Sequence, residues 1–331
     1  MHISQLHPTF LLLLATIITT HALPTPSETS VNLIYQFPNT TWIENLAVRR
    51  NGDILCTSLS AAAIFLVNPF EHTEERVLQF VAGNGVLGIT EIGDDIFVAV
   101  TSQVNLMTSE AAAGSAAAWR IDMKAWSSGR ENFVTLLANL TQIGLPDGIV
   151  SLPSRPTTIL IADAAKGLVW KLDTLSGNYT IVIEDDILHS SNPFLPLGVD
   201  GLHVIDEYLY FTNLGDNILC RIAIDKHGNA TDEIELVATM PFPDDFALAQ
   251  DGTAYVVGAN QLYRVSPDGV VVVLAGGIND TTLEGVTSAQ FGRTREDAGV
   301  LYMGTNGGLL APVNGRLIGG QILAIDIEQF I

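Results

Sequence analysis

The chain has 331 residues, of which 47% are apolar and 15% charged, too apolar for a disordered polymer and long enough for one large β domain or two ordinary ones. Fifteen Lys and Arg against 36 Asp and Glu leave a formal charge of −21, which repels phosphate backbones and anionic membranes and so excludes a nucleic-acid or membrane-surface role. Two cysteines build neither a disulfide scaffold nor a four-cysteine zinc site.

Residues 1–22 read as a signal peptide. A short apolar run ends at the small-x-small sequence Thr20-His21-Ala22 and is too short to span a bilayer. An N-terminal anchor is the alternative, since the first residues carry no Lys or Arg. Five Asn-x-Ser/Thr sequons, at Asn39, Asn139, Asn178, Asn229 and Asn279, fit a secreted glycoprotein with sugars on surface loops.

From residue 23 to 331 the chain reads as one domain made of a repeated unit. An acidic residue or its substitute, then a small residue, then an apolar one recur as Glu44-Asn45-Leu46, Leu87-Gly88-Ile89, Asp147-Gly148-Ile149, Asp200-Gly201-Leu202, Asp244-Asp245-Phe246 and Glu284-Gly285-Val286. The intervals of 43, 60, 53, 44 and 40 residues match a four-stranded propeller blade. A second strand follows each signature, as at Ile54-Leu55-Cys56 and Leu301-Tyr302-Met303, sometimes after an Asn-Gly or Asp-Gly turn. Third strands recur from Ile64-Phe65-Leu66 to Ile322-Leu323-Ala324, but fourth strands are found for only five blades. Leu33-Ile34-Tyr35, ahead of the first signature, supplies the missing one. The expected fold is therefore all-β, a six-bladed propeller closed by its N-terminal strand, which removes free sheet edges.

The first strand of each blade lines the central channel, so the signatures place Glu44, Asp147, Asp200, Asp244 and Glu284 around one mouth as the candidate catalytic set. Five carboxylates at close range do not all ionise unaided: either a divalent cation neutralises some, or some keep protons and have raised pKa values. For any one of them a purely structural Asp-Gly turn is the competing explanation. Long connections at residues 101–117, 186–199 and 305–320 fall on the same face and form a partly apolar rim. Trp42, Asp163, Asn213 and His203 are candidate substrate contacts at the channel, with core packing the alternative for Trp42. Trp119 and Trp170, at equivalent third-strand positions, read as core. No His-x-x-x-His, Gly-x-Ser-x-Gly, Walker or dinucleotide motif is present. Cys56 and Cys220 fall in blades one and four, on opposite sides of the ring, and are expected to be free thiols.

Trp42-Ile43-Glu44-Asn45-Leu46-Ala47-Val48 with Asn51-Gly52, Val199-Asp200-Gly201-Leu202 and Phe242-Pro243-Asp244-Asp245-Phe246 resemble the blade motifs of the senescence-marker-protein/gluconolactonase superfamily. In its lactonases the resemblance implies a metal held by a Glu, Asn-type ligands and an Asp. Glu44 and Asp244 match two of these, while Asp147 and Asp200 stand where Asn is expected, so a cation here would use Glu44, Asp200 and Asp244. The stretch Leu33-Ile34-Tyr35-Gln36-Phe37-Pro38-Asn39 and the Trp42 segment are also similar to secreted fungal hetero-Diels–Alderases of tropolone–sesquiterpenoid pathways. That resemblance implies joining of a tropolone-derived o-quinone methide to a humulene-type terpene. It implies small polyketide and terpene substrates and no redox cofactor; a monomer without nucleic-acid or membrane partners is expected, the last two on the ground of charge and the lack of a second long apolar run. A metal-dependent lactonohydrolase and a non-catalytic binding propeller remain open alternatives.

Overall fold

The computed structural model describes residues 30–81, 85–106 and 108–327. The signal segment lies outside the described residues. Among the described residues six four-stranded antiparallel sheets stand in a ring, with one short α-helix at Met123–Ser127. The innermost strands are Ile43–Val48, Gly85–Gly93, Pro146–Leu152, Val199–Ile205, Pro243–Leu248 and Val286–Phe291. Each packs against the innermost strand of both neighbouring blades, so the circle is complete.

The last blade is built from both ends of the chain. Its sheet runs from Val286–Phe291 through Val300–Thr305 and Gln321–Asp326 to Asn32–Gln36, with Leu33 opposite Leu323. The N-terminal strand therefore occupies the outer edge of blade six, as the repeat arithmetic requires. Apolar side chains on both faces of the sheets fill the seams between blades. Ile43, Leu46 and Cys56 of blade one meet Tyr302 and Ile322 of blade six, for example. Burial of these alternating residues on two faces is what drives sheet-on-sheet packing. Cys56 and Cys220 are buried free thiols in blades one and four, and burial pushes the Cys220 thiol up to about 12.

Among the described residues no helix is long and apolar enough to cross a membrane. All five sequon asparagines are exposed.

Candidate functional site

The recurring signature is a β-bulge. In blade one Ile43 pairs with Ser58 and Leu46 with Cys56, so Glu44 and Asn45 together face the single residue Thr57. The same irregularity sits at Leu87-Gly88, Asp147-Gly148, Asp200-Gly201 and Asp244-Asp245. A bulge twists its strand and re-aims its side chains. Here it gives each blade two successive residues beside the channel, one level below the other.

The second level is crowded. A Cβ on Gly88 would lie 2.2 Å from the Asp147 carbonyl oxygen, and one on Gly148 would lie 2.4 Å from that of Asp200. Only glycine permits such approach. Hydroxyls staple neighbouring blades at this height: Thr57 donates to the Leu87 carbonyl at 2.6 Å and Thr287 to that of Ile43 at 2.9 Å.

The bulges bring four of the five expected carboxylates together: Glu44, Asp147, Asp200 and Asp244. Glu284 is not among them. In blade six Val286 pairs with Thr305, Ser288 with Gly304 and Ala289 with Met303, which puts Thr287 at the carboxylate position. Glu284 lies three residues upstream, is buried, and accepts from the Val313 backbone N–H at 2.6 Å. It holds the 305–320 connection in place. The triplet at residue 284 copies the signature's composition without its register.

Burial is the main force on all four carboxyls, because a charge in a low-dielectric channel loses its hydration. Glu44 is held well above the usual range by burial, then by the Asp147 charge and Asp245, with the facing Trp42 indole N–H opposing in part. Asp200 is raised by burial, by the Asp147 and Asp244 charges, by donating its proton to Asp147, and by Glu44. Asp244 is raised by burial, then by Glu44, Asp147 and Asp245. Asp147 is the mildest case. Burial pushes it to about 6, with the proton from Asp200 pulling it down and Asp245 pushing it up. Asp147 is thus the more acidic partner of the pair, with the shared proton on Asp200.

This has a consequence for stability. A carboxyl whose folded pKa is raised stabilises the folded state below its unfolded value near 4 and loses that contribution as pH rises through the folded value. For Asp147 alone the loss runs from about pH 4 to about pH 6 and is on the order of 3 kcal/mol in all. Calorimetry is expected to show a melting temperature that falls from pH 4 to pH 8, with Asp147→Asn flattening the decline below about pH 6. A melting temperature constant across that range would contradict the buried ring.

Asp245, not singled out from sequence, is the floor of the site. It sits 5% exposed, accepts from Asn45 Nδ2 at 3.2 Å, and lies 3.3 Å from His203 Nε2. His203 therefore does reach the channel, one level below the ring, with its edge against Phe246 at 4.7 Å. Together with Asn45, Ser151, Gln290 and Arg293 these residues line a polar cavity of about 320 Å³ at the lower mouth.

Asp163 and Asn213 do not reach the channel. Asp163 is fully buried and accepts from the N–H groups of Gly144, Leu145 and Lys166 and from Trp170 Nε1. Asn213 donates to the carbonyls of Ile187 and His189 and accepts from the Asp216 N–H. Both are anchors that fix the connections leading into their blades.

The upper mouth is covered by the long connections. Leu106, Ala111, Leu197 and Leu309 pack in one apolar cluster with Trp42, Leu59 and Leu87 at the top of the channel. Outside this cover lies a cavity of about 570 Å³, lined among others by Ile143, Lys166, Phe194, Leu197 and Leu310. Phe194 is 94% exposed there. The carboxylates thus sit between an apolar, loop-covered mouth and a polar one.

The superfamily resemblance raises the question of a cation at Glu44, Asp200 and Asp244. Among the described residues no three His, Cys, Asp or Glu side chains converge with the spacing of a metal-ligand set. The donor set present does not fit a cation held by three such side chains.

No family model matches the chain. A Phoma sp protein named "Putative hetero-Diels-Alderase" is 28% identical over 317 residues, covering 86% of this chain and 90% of its own length. A protein of Sarocladium schorii, also named "Putative hetero-Diels-Alderase", is 27% identical, covering 93% of this chain and 85% of its own. Among solved structures, the calcium-binding protein regucalcin from Agrobacterium tumefaciens superposes with a TM-score of 0.63 at 14% identity, over 92% of this chain and 97% of its own. A gluconolactonase from Xanthomonas campestris superposes with a TM-score of 0.61 at 13% identity, over 90% and 89% of the two chains. The structural likeness is one of fold. Both sets of relatives are those that the blade motifs resemble.

Proposed function

We propose that the protein is a secreted hetero-Diels–Alderase that assists dehydration of a hydroxymethyl tropolone and joins the resulting o-quinone methide to a humulene-type sesquiterpene. The observation that carries this reading is a cluster of carboxyls with raised pKa values at one mouth of the channel, closed off by the apolar cover, on whose outer side lies a loop-built cavity of about 570 Å³, within the range of roughly 300–1,000 Å³ that small-molecule sites occupy. The similarity to proteins named as hetero-Diels–Alderases supports it. Exposure of all five sequon asparagines supports the secretory route.

The chemistry follows from the ring. Protonated Asp200 donates to the leaving hydroxyl, the C–O bond of the hydroxymethyl group breaks, and water departs. Ionised Asp147 takes the proton of the ring hydroxyl, so the electron pair of that O–H bond becomes the new carbonyl of the o-quinone methide. Proton transfer from Asp147 back to Asp200 restores the starting state. The terpene alkene then adds across the heterodiene, forming one C–C and one C–O bond with no redox change. The apolar cover holds the two partners in register and keeps bulk water from the methide.

The test is incubation of the purified protein with a hydroxymethyl tropolone and humulene. Chromatography with mass detection is expected to show an adduct of the summed masses less one water, formed at least tenfold faster than in buffer. Formation at the buffer rate overturns the reading.

A further inference from the structure

The geometry points to a second ligand site at the lower mouth of the channel, shaped for a small carboxylic acid that also carries a hydroxyl and a short apolar group. It stands apart from the four carboxyls above, none of which lines it.

The polar cavity of about 320 Å³ adjoins another of about 290 Å³, and His203, Gln290, Phe291 and Arg293 line both. The annex is walled mainly by Val204, Ile205, Ala247 and Leu248. One ligand can therefore meet polar groups at one end and an apolar wall at the other, the usual build of a small-molecule site.

The polar groups divide into those the fold engages and those it leaves over. Asp245 is engaged. Its Oδ1 accepts from the Phe246 N–H at 2.8 Å and lies 3.3 Å from His203 Nε2, and its Oδ2 accepts from Asn45 Nδ2 at 3.2 Å. Glu91 is engaged as well: Oε1 accepts from the Asp95 N–H at 3.0 Å and Oε2 from Arg293 Nη1 at 2.6 Å. Both negative charges are thus answered within the protein, and the cavity does not call for a cation.

The groups left over belong to Arg293, His203 and Gln290. Arg293 Nη1 is tied to the Val48 carbonyl at 2.8 Å and to Glu91, which fixes the guanidinium plane. Its Nε–Nη2 edge has no partner among the described residues, and the side chain is 35% exposed. That edge matches a carboxylate with two parallel hydrogen bonds. Asp245, 5% exposed, faces His203 Nε2 and keeps the imidazole proton there, so Nδ1 accepts. A ligand hydroxyl supplies the proton for it. The Gln290 amide, also without a partner among the described residues, both donates and accepts. Neither His203 Nδ1 nor the Gln290 amide is among the atoms sealed from solvent. Three strands that the ring holds rigidly thus present a fixed cationic edge, an acceptor and an amide to one space, with the apolar annex beside them.

Calorimetric titration of the full chain with 2-hydroxy-4-methylpentanoate tests the site. The parent protein is expected to bind one molecule saturably. Arg293→Gln is expected to weaken binding about tenfold or more, the scale of a charge-assisted contact, and Gln290→Leu about threefold or more. Lys166→Gln removes a cation from the cavity at the opposite mouth and is expected to change nothing. Three relatives of the probe each lack one feature: 4-methylpentanoate the hydroxyl, hydroxyacetate the apolar group and 4-methylpentane-1,2-diol the carboxylate. Each is expected to bind about threefold or more weakly than the probe. Should Arg293→Gln fail to fold, Gln290→Leu decides the matter alone, because the fold makes no use of that amide. Unchanged affinity in a folded Arg293→Gln or in Gln290→Leu overturns the site. So does an equal loss in Lys166→Gln, equal affinity for any of the three relatives, or no saturable binding by the parent protein.

Discussion

Asp200→Asn and Glu44→Gln are each expected to lower the rate of adduct formation tenfold or more while raising the melting temperature at pH 7. Tenfold is below the 10²–10⁴ that general acid–base groups typically contribute, because neighbouring carboxyls in a shared-proton cluster partly substitute for one another. Asn at position 200 keeps the shape of the protonated acid and can still donate to Asp147, but it has no proton to give to a leaving hydroxyl. Stability moves the other way because the neutral amide removes one source of repulsion from a channel in which Asp147, Asp244 and Glu44 all oppose ionisation of Asp200. Glu284→Gln is the control. The amide oxygen still accepts from the Val313 N–H, so turnover should stay within about threefold. Full activity in both ring variants would show that the carboxyls only shape the channel.

Gly148→Ala is expected to be strongly destabilising. The added carbon would stand 2.4 Å from the Asp200 carbonyl oxygen and 2.9 Å from Gly201 Cα. These are backbone atoms of the next blade's inner strand, so relief requires moving that whole strand. Overpacking of this kind costs about 1–3 kcal/mol and occasionally more, and a ring with no free edge has little room to relax. Gly93→Ala, whose added carbon meets nothing closer than Ile96 Cβ at 3.8 Å, should be nearly neutral. Denaturant midpoints of the two variants make the comparison. Equal midpoints would mean that the inner strands are not as closely set as described.

The blades were legible in the sequence because each inner strand carries the same bulge, and the bulge imposes a composition: a residue aimed at the channel, then one small enough to pass the next strand. That same composition misled in blade six. Glu284-Gly285-Val286 has the right residue types, but strand pairing, which composition does not encode, places Thr287 in the ring. Asp245 carried a readable signal, since it stands where Gly88, Gly148 and Gly201 stand in three other blades. A charged residue in a glycine's place calls for a partner, and His203 and Asn45 provide it. Asp163 and Asn213 illustrate the opposite limit. A polar residue at the end of a second strand serves either the channel or the turn beside it. Only the hydrogen bonds, here to Gly144 and Leu145 and to Ile187 and His189, distinguish the two.

The pairing of Asn32–Gln36 with Gln321–Asp326 also sets an order of events during biosynthesis. Among the described strands, the first to leave the ribosome is the last to find its partner, since that partner is the last of them to be made. At about 5–20 residues per second the early strand waits tens of seconds or more while the intervening blades are synthesised. Blades one to five can form their own sheets in sequence from local hairpins, but blade six cannot, and until it does the inner strands of blades one and five each lack one neighbour. The final docking joins segments separated by nearly the whole chain, so it carries the largest loop-closure cost in the fold. A truncation that removes Gln321–Asp326 would therefore release the N-terminal strand as well, and a nascent chain halted before that point would display two open flanks to the surrounding quality-control machinery.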